Sequence, residues 1–318
     1  MLFLGRRSEQ QAAPNSSSLV LGSDTYRPSG AVLGRLDEIA ERRTCANLQC
    51  TTTWTAPWRN RRRPIFEGQW GCSGRCVLEL VRAAIRREMG DATHDSWLQH
   101  RHRVPLGLLL LGQGWITQSQ LQQGLTIQRE RGGRIGEILV SECGVEPEKV
   151  TRGLGLQWSC PVLDTSAFSP RAMALVAPKI FTQQFGLLPI RVAGSRILYL
   201  GFEDRLDAAS ALALEQMTGL KVESGLIETE EYRAARKNLL ENEGVPLRQE
   251  SCDERDAMAS RVTAILEQKQ PLAAKLIRLH HSYWLRLWLE ASDIARQGML
   301  PVHGEDMLDY VFSLGRQI

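Results

Sequence analysis

The chain has 318 residues, 43% hydrophobic and 24% charged, a globular balance that excludes disorder throughout and a length that predicts at least two modules. Its formal net charge of +3 excludes an overall basic field as the means of holding nucleic acid or an anionic membrane, so such a partner would need a local patch. No run approaches the roughly 18 apolar residues of a membrane-crossing helix, and the opening MLFLGRRSEQQ lacks a signal peptide's apolar core and cleavage site, so cytoplasmic residence is expected. Seven cysteines, an odd number without a secretory signal, point to reduced thiols or metal ligands and away from a disulfide framework.

Taken in chain order, the pattern predicts an α+β protein: a small zinc-ribbon-like module, a helical-repeat subdomain joined to a small α/β subdomain, and a C-terminal helical segment. Residues 1–30 are rich in Ser, Pro, Gly and Asn and read as a flexible leader. Residues 31–104 are expected to form the zinc-ribbon-like module with flanking helices. Val32, Leu33, Leu36 and Ile39 stand at helical spacing, and a second amphipathic helix is expected over residues 77–89.

Between those helices lie Cys45, Cys50, Cys72 and Cys76. Two short cysteine loops about twenty residues apart fit a tetrahedral thiolate site for structural zinc, with free buried thiols and redox chemistry as the other readings. Four protein ligands would leave no open position for a catalytic water. Trp54, Trp58, Arg59, Arg61, Arg62, Arg63 and Trp70 lie between the cysteine pairs. Such residues can stack bases and neutralise phosphates, and they can equally supply a ribbon's small core and its solvated face.

Residues 105–240 are denser in apolar periodicity, with four helices, strands around the turn Ala193-Gly194-Ser195, a helix over residues 206–218, a strand near residues 221–224 and a helix opening near Glu228. Residues 241–256 read as a linker. Residues 257–318 read as helical, with Leu272, Leu276, Leu279, Tyr283, Leu287 and Ala291 near one face and Trp284 and Trp288 beside it, a stripe expected to pack against a core or a partner helix. The histidine pair His280-His281 is expected on that helix.

The central region repeats itself. Gly107 and Gly136, Leu110 and Leu139, Leu111 and Val140, Ile116 and Val145, Leu121 and Val150, Leu125 and Leu154, and Gln128 and Gln157 are each separated by the same 29 positions. Each copy predicts a short helix, a turn, and a second helix bearing the later Leu and the Gln, with Thr117 as a capping signal in the first.

This doubled pattern of Gly, paired aliphatics and L…L…Q, with the spacer Arg129-Glu130-Arg131-Gly132-Gly133, resembles the N-terminal domain of type II secretion and type IV pilus assembly ATPases, the MshEN-type domain. Pro161-Val162-Leu163-Asp164, Ala177-Pro178, residues 185–190 and Leu198-Tyr199-Leu200-Gly201 resemble its α/β half. The resemblance implies a receptor for cyclic di-GMP or a docking module for a secretion or pilus platform protein. It implies ligand-binding roles for Arg103, Leu106, Gly107, Leu110, Leu111 and Gln128 in the first copy, and for Arg134, Ile135, Gly136, Leu139, Val140 and Gln157 in the second.

Two departures mark this chain: Pro105 stands where the family places Arg, and Cys143 where it places Gly, with Gly144 one step later. The same Leu and Gly residues would also serve simply to pack a small helical subdomain. No G-x-x-x-x-G-K-[ST] loop occurs in the sequence, so the motor chemistry associated with that domain is not expected here. No Ser, Cys or carboxylate pair stands in a catalytic motif beside the six histidines, so the chain is read as non-enzymatic. The other functional reading is a zinc-ribbon nucleic-acid binder, acting through Arg59, Arg61, Arg62 and Arg63, with the central domain as scaffold.

Overall fold

The computed structural model describes residues 45–51, 65–90, 104–194, 196–289 and 304–315. The leader, the helix expected over residues 31–43, Arg103, Trp54, Trp58, Arg59, Arg61, Arg62, Arg63, Ala291 and the histidines His94, His100, His102 and His303 lie outside the described residues. Among the described residues, no helix is long and apolar enough to cross a membrane.

The expected α+β class holds, but its C-terminal part is built differently. After a two-stranded hairpin of β1 (Ile65–Phe66) and β2 (Gln69–Trp70) comes helix α1 (Gly74–Gly90). Four helices follow: α2 (Leu106–Gly112), α3 (Gln118–Arg131), α4 (Ile135–Ser141) and α5 (Pro147–Trp158). Short helices α6 (Pro170–Met173) and α7 (Lys179–Gln184) lead into β3 (Leu188–Ala193) and β4 (Ile197–Phe202), then α8 (Ala208–Thr218), β5 (Lys221–Leu226) and α9 (Thr229–Glu241). Strand β4 pairs antiparallel with β3 and parallel with β5.

Residues 257–318, expected to be helical, instead hold most of helix α10 (Arg255–Lys269) and the strands β7 (Ala273–Leu279), β8 (Ser282–Trp288) and β9 (Met307–Leu314). The expected linker contains β6 (Leu247–Cys252), parallel to β9 in a four-stranded sheet ordered β6-β9-β8-β7. The stripe misled because β7 and β8 are buried on both faces, which gives near-continuous apolar runs with no period-2 alternation. His280 and His281 are the turn between β7 and β8, with His280 at φ 53°, so the hairpin carries none of the usual Gly, Asn or Asp turn signals. Trp284 and Trp288 are strand residues.

This sheet joins the modules. On one face Leu276, Leu285 and Tyr310 meet the apolar faces of α1 (Val77, Val81, Ala84, Ile85) and α10 (Met258, Val262, Leu266). On the other, Ile277, Trp284 and Val311 meet Phe181, Leu214 and Met217 of the α/β region. Arg286 and Asp309, paired across β8 and β9, are almost wholly buried and share two bonds of 2.8 Å. Arg286 also donates to the carbonyl of Val176 at 2.9 Å. Removing either partner would leave a buried charge uncompensated, so the pair fixes how sheet and central region meet.

Candidate functional site

The repeat folds as two copies that close on each other. Gln128 of the first copy donates through Nε2 to the carbonyl of Gly133 at 2.9 Å, just before the second copy begins. Gln157 of the second donates to the carbonyl of Val104 at 2.7 Å, just before the first. Both donors and both acceptors are related by 29 positions. Packing is reciprocal too: a Cβ at Gly124 on α3 would lie 3.1 Å from Leu139 Cδ2 and 3.2 Å from Ile135 Cδ1, while one at Gly153 on α5 would lie 2.5 Å from Leu110 Cδ2 and 3.0 Å from Leu106 Cδ1. The second helix of each copy therefore presses a glycine onto the first helix of the other, which requires the missing side chain.

The turns differ by one residue. Gly114 in the first copy and Gly144 in the second both have positive φ, 70° and 65°, so Cys143 moves the turn glycine without abolishing it. Helix α3 opens on a capping box in which Thr117 Oγ1 accepts from the Gln120 amide and Gln120 accepts from the Thr117 amide. Helix α5 has Pro147 at its first turn and no side-chain cap.

Between the repeat and the α/β region lies a cavity of about 640 Å³, within the size of small-ligand sites. Seven of the expected ligand residues line it: Leu106, Gln128, Arg134, Ile135, Gly136, Val140 and Gln157. Four others lie elsewhere. Leu110 and Leu139 are fully buried in the subdomain core, Leu111 packs against that core, and Gly107 faces Leu121. Arg103 is outside the described residues.

Sequence reasoning missed the opposite wall. Glu203 and Asp204, just after β4, and Glu228, Glu230 and Arg233 at the start of α9 line it from the α/β side. Only tertiary closure brings them to the repeat, and their acidic run reads locally as an ordinary helix N-terminus. Arg134 pairs with Asp204 at 3.1 Å and Glu137 at 3.9 Å. Arg233 pairs with Glu230 at 3.2 Å and Glu203 at 3.6 Å. An aliphatic floor can bury planar rings, guanidiniums can take phosphate, and carboxylates can accept from the N–H edge of a base. Its polar lining is made of glutamines, threonines, carboxylates and two arginines, groups suited to hydrogen-bonding a polar ligand.

The four expected cysteines do converge. The sulfurs of Cys45, Cys50, Cys72 and Cys76 all lie within 4.8 Å of one another, with Cys50–Cys72 at 3.4 Å and Cys72–Cys76 at 3.6 Å. Tetrahedral bonds of about 2.3 Å to zinc place sulfurs roughly 3.8 Å apart, so the donor set fits. The Cys72 amide donates to Cys45 Sγ at 3.4 Å and Asn47 Nδ2 to Cys76 Sγ at 3.5 Å. Burial pushes the Cys45 thiol up and, with its sulfur neighbours, raises Cys72 to about 12. At Cys76 burial also acts upward, but hydrogen bonds with Ser73, Asn47 and the neighbouring cysteines bring it below the ordinary value. A divalent cation is what lets four such sulfurs become thiolates together. Trp70, expected either to stack bases or to fill a core, is buried.

No protein-family model and no curated protein matches the chain. Among solved structures, the chain is similar to MshE with cdg, at 25% identity over 43% of this chain and 99% of that one, with a TM-score of 0.36. It is also similar to the N-terminal domain of XpsE in two crystal forms, at 17% and 18% identity, over 42% and 41% of this chain and 92% and 90% of those, with TM-scores of 0.30 and 0.25. Each of these matches spans less than half of this chain.

Proposed function

We propose that this chain is a non-catalytic, cytoplasmic binding protein of the secretion and pilus-assembly kind, whose central cavity takes cyclic di-GMP. One observation carries this reading: residues related by the 29-position repeat, Leu106 with Ile135 and Gln128 with Gln157, line the same cavity. A site built twice from the same elements suits a ligand built twice from the same half. The two purines would lie on the aliphatic floor and Arg134 would leave Asp204 to meet a phosphate. Calorimetric titration with cyclic di-GMP, with GTP as control, tests it. Saturable binding of the dinucleotide alone, weakened by Arg134→Ala, supports the reading; absence of heat at millimolar ligand overturns it and leaves the repeat as a docking scaffold for a platform protein.

The cysteine cluster supports a structural zinc held by Cys45, Cys50, Cys72 and Cys76, with the ion fixing the loops that carry them. Zinc stoichiometry by elemental analysis, lost on Cys72→Ser, tests this second part.

A further inference from the structure

Strand β7 is an edge strand of the C-terminal sheet, yet four of its outward backbone groups, between the Ala274 carbonyl and the Arg278 amide, are taken. The Glu67 amide donates to the Ala274 carbonyl at 2.8 Å. The Leu276 amide donates to Glu67 Oε1 at 3.3 Å, and the Arg278 amide to Glu88 Oε2 at 3.0 Å. Arg87 reaches the Leu276 carbonyl at 3.5 Å and ties the two carboxylates together, at 2.6 Å to Glu67 and 2.7 Å to Glu88. Side chains thus imitate a neighbouring strand.

A second feature marks Glu67. It has φ 50° and Gly68 has φ 73°, the two central positions of the β1–β2 hairpin turn. Asn, Asp or Gly ordinarily takes the first of these, and a glutamate there is strained. What a glutamate in particular adds at this strained position is its carboxylate, which meets the Leu276 amide and Arg87.

The two halves of this cap are anchored differently. Glu88 and Arg87 ride on α1, whose apolar face is sunk in the sheet's core. Glu67 rides on a hairpin of two-residue strands, held by Phe66 in that core and by the Ala46 amide bonded to the Trp70 carbonyl at 2.9 Å. Ala46 and Trp70 lie beside Cys45 and Cys72 of the cysteine cluster.

We propose that Glu67, Arg87 and Glu88 guard the β7 edge against pairing with a second copy of the chain, and that the cysteine-held hairpin is the releasable half of the guard. An edge with buried side chains on both faces is a template for strand addition. The same edge on a second copy, met antiparallel about a twofold axis near Ala274, can pair with the backbone groups the hairpin frees. The releasable half rests on the metal reading above; the guard itself does not.

The test is hydrogen exchange over residues 273–279, with mass by light scattering, on the full chain. Glu67→Gly relaxes the turn while removing the carboxylate. It is expected to keep its zinc and its melting curve and to speed exchange around Leu276 at least about tenfold; once chelation also frees the hairpin, its mass is expected to double relative to the unsubstituted, zinc-bound chain with rising concentration. Glu67→Gln, which keeps an acceptor oxygen, is expected to stay near the unsubstituted chain in both readouts. Unchanged exchange in Glu67→Gly overturns the guard, and faster exchange without the rise in mass overturns the pairing. Chelation of the unsubstituted chain is expected to speed exchange at Leu276 and leave Arg278 protected; equal exchange at both overturns the division into two halves. Absence of zinc from the purified protein would defeat the metal reading alone, since Glu67→Gly still tests the guard.

Discussion

The two copies of the repeat share a packing scheme and differ in their polar equipment. Leu110 and Leu139 are both fully buried, Gly124 and Gly153 each press onto the other copy, and Gln128 and Gln157 each close onto the other copy's start. Yet the second copy alone carries an arginine at the head of its first helix, Arg134, where the first has Pro105. Packing dictates what must be repeated, because a closed pair of copies needs matching shapes on both sides. The charge that faces the cavity is under no such constraint and is free to be one-sided.

Breaking the shared core should be the costliest test of that symmetry. Leu110→Ala and Leu139→Ala are each expected to lose about 2–5 kcal/mol in urea unfolding, by similar amounts, because both leave a cavity in a fully buried site. Clearly unequal losses would show that the copies are not equivalent in packing. A finer contrast lies at the glycines. Gly153→Ala meets Leu110 Cδ2 at 2.5 Å and is expected to cost about 1–3 kcal/mol from overpacking. Gly124→Ala meets its nearest atom at 3.1 Å, so relief of glycine's helix penalty of about 1 kcal/mol should offset most of the strain and leave the melt near that of the unsubstituted chain.

The helix starts sharpen the comparison from the other side. Thr117→Ala removes the capping box of α3 and should cost about 1 kcal/mol by thermal melt, whereas Glu146→Ala at the start of α5 removes no side-chain cap and should cost only a few tenths. The reciprocal glutamines add a matched pair of small effects. Gln128→Leu and Gln157→Leu each forfeit one bond to a backbone carbonyl beside solvent, worth about 0.5–1.5 kcal/mol, and equal small losses in denaturant unfolding are expected.

What the sequence made legible follows from the same distinction. The repeat was readable because its buried Leu and Gly positions recur at a fixed spacing, and the cysteine cluster because four cysteines in two short loops leave a spacing signature. The C-terminal sheet was not, because Ala273 to Leu279 and Tyr283 to Leu287 are apolar on both faces and joined by a histidine turn. In such a run a strand and a buried helix look alike. Half of the cavity was legible, the half the repeat supplies. The wall of Glu203, Asp204, Glu228, Glu230 and Arg233 lies 46 or more positions beyond Gln157 in the chain, and only the folded α/β region delivers it.

The central claim is that both copies serve one two-halved ligand, and calorimetric titration of cyclic di-GMP into the full chain, Arg134→Ala and Pro105→Arg tests it most directly. The account predicts saturable binding of one ligand per chain, weakened about tenfold to a hundredfold by Arg134→Ala, in line with the loss of a hydrogen bond to a charged group, and strengthened by Pro105→Arg, which gives the first copy the donor it lacks. Binding that is absent in all three, or indifferent to both substitutions, would contradict it.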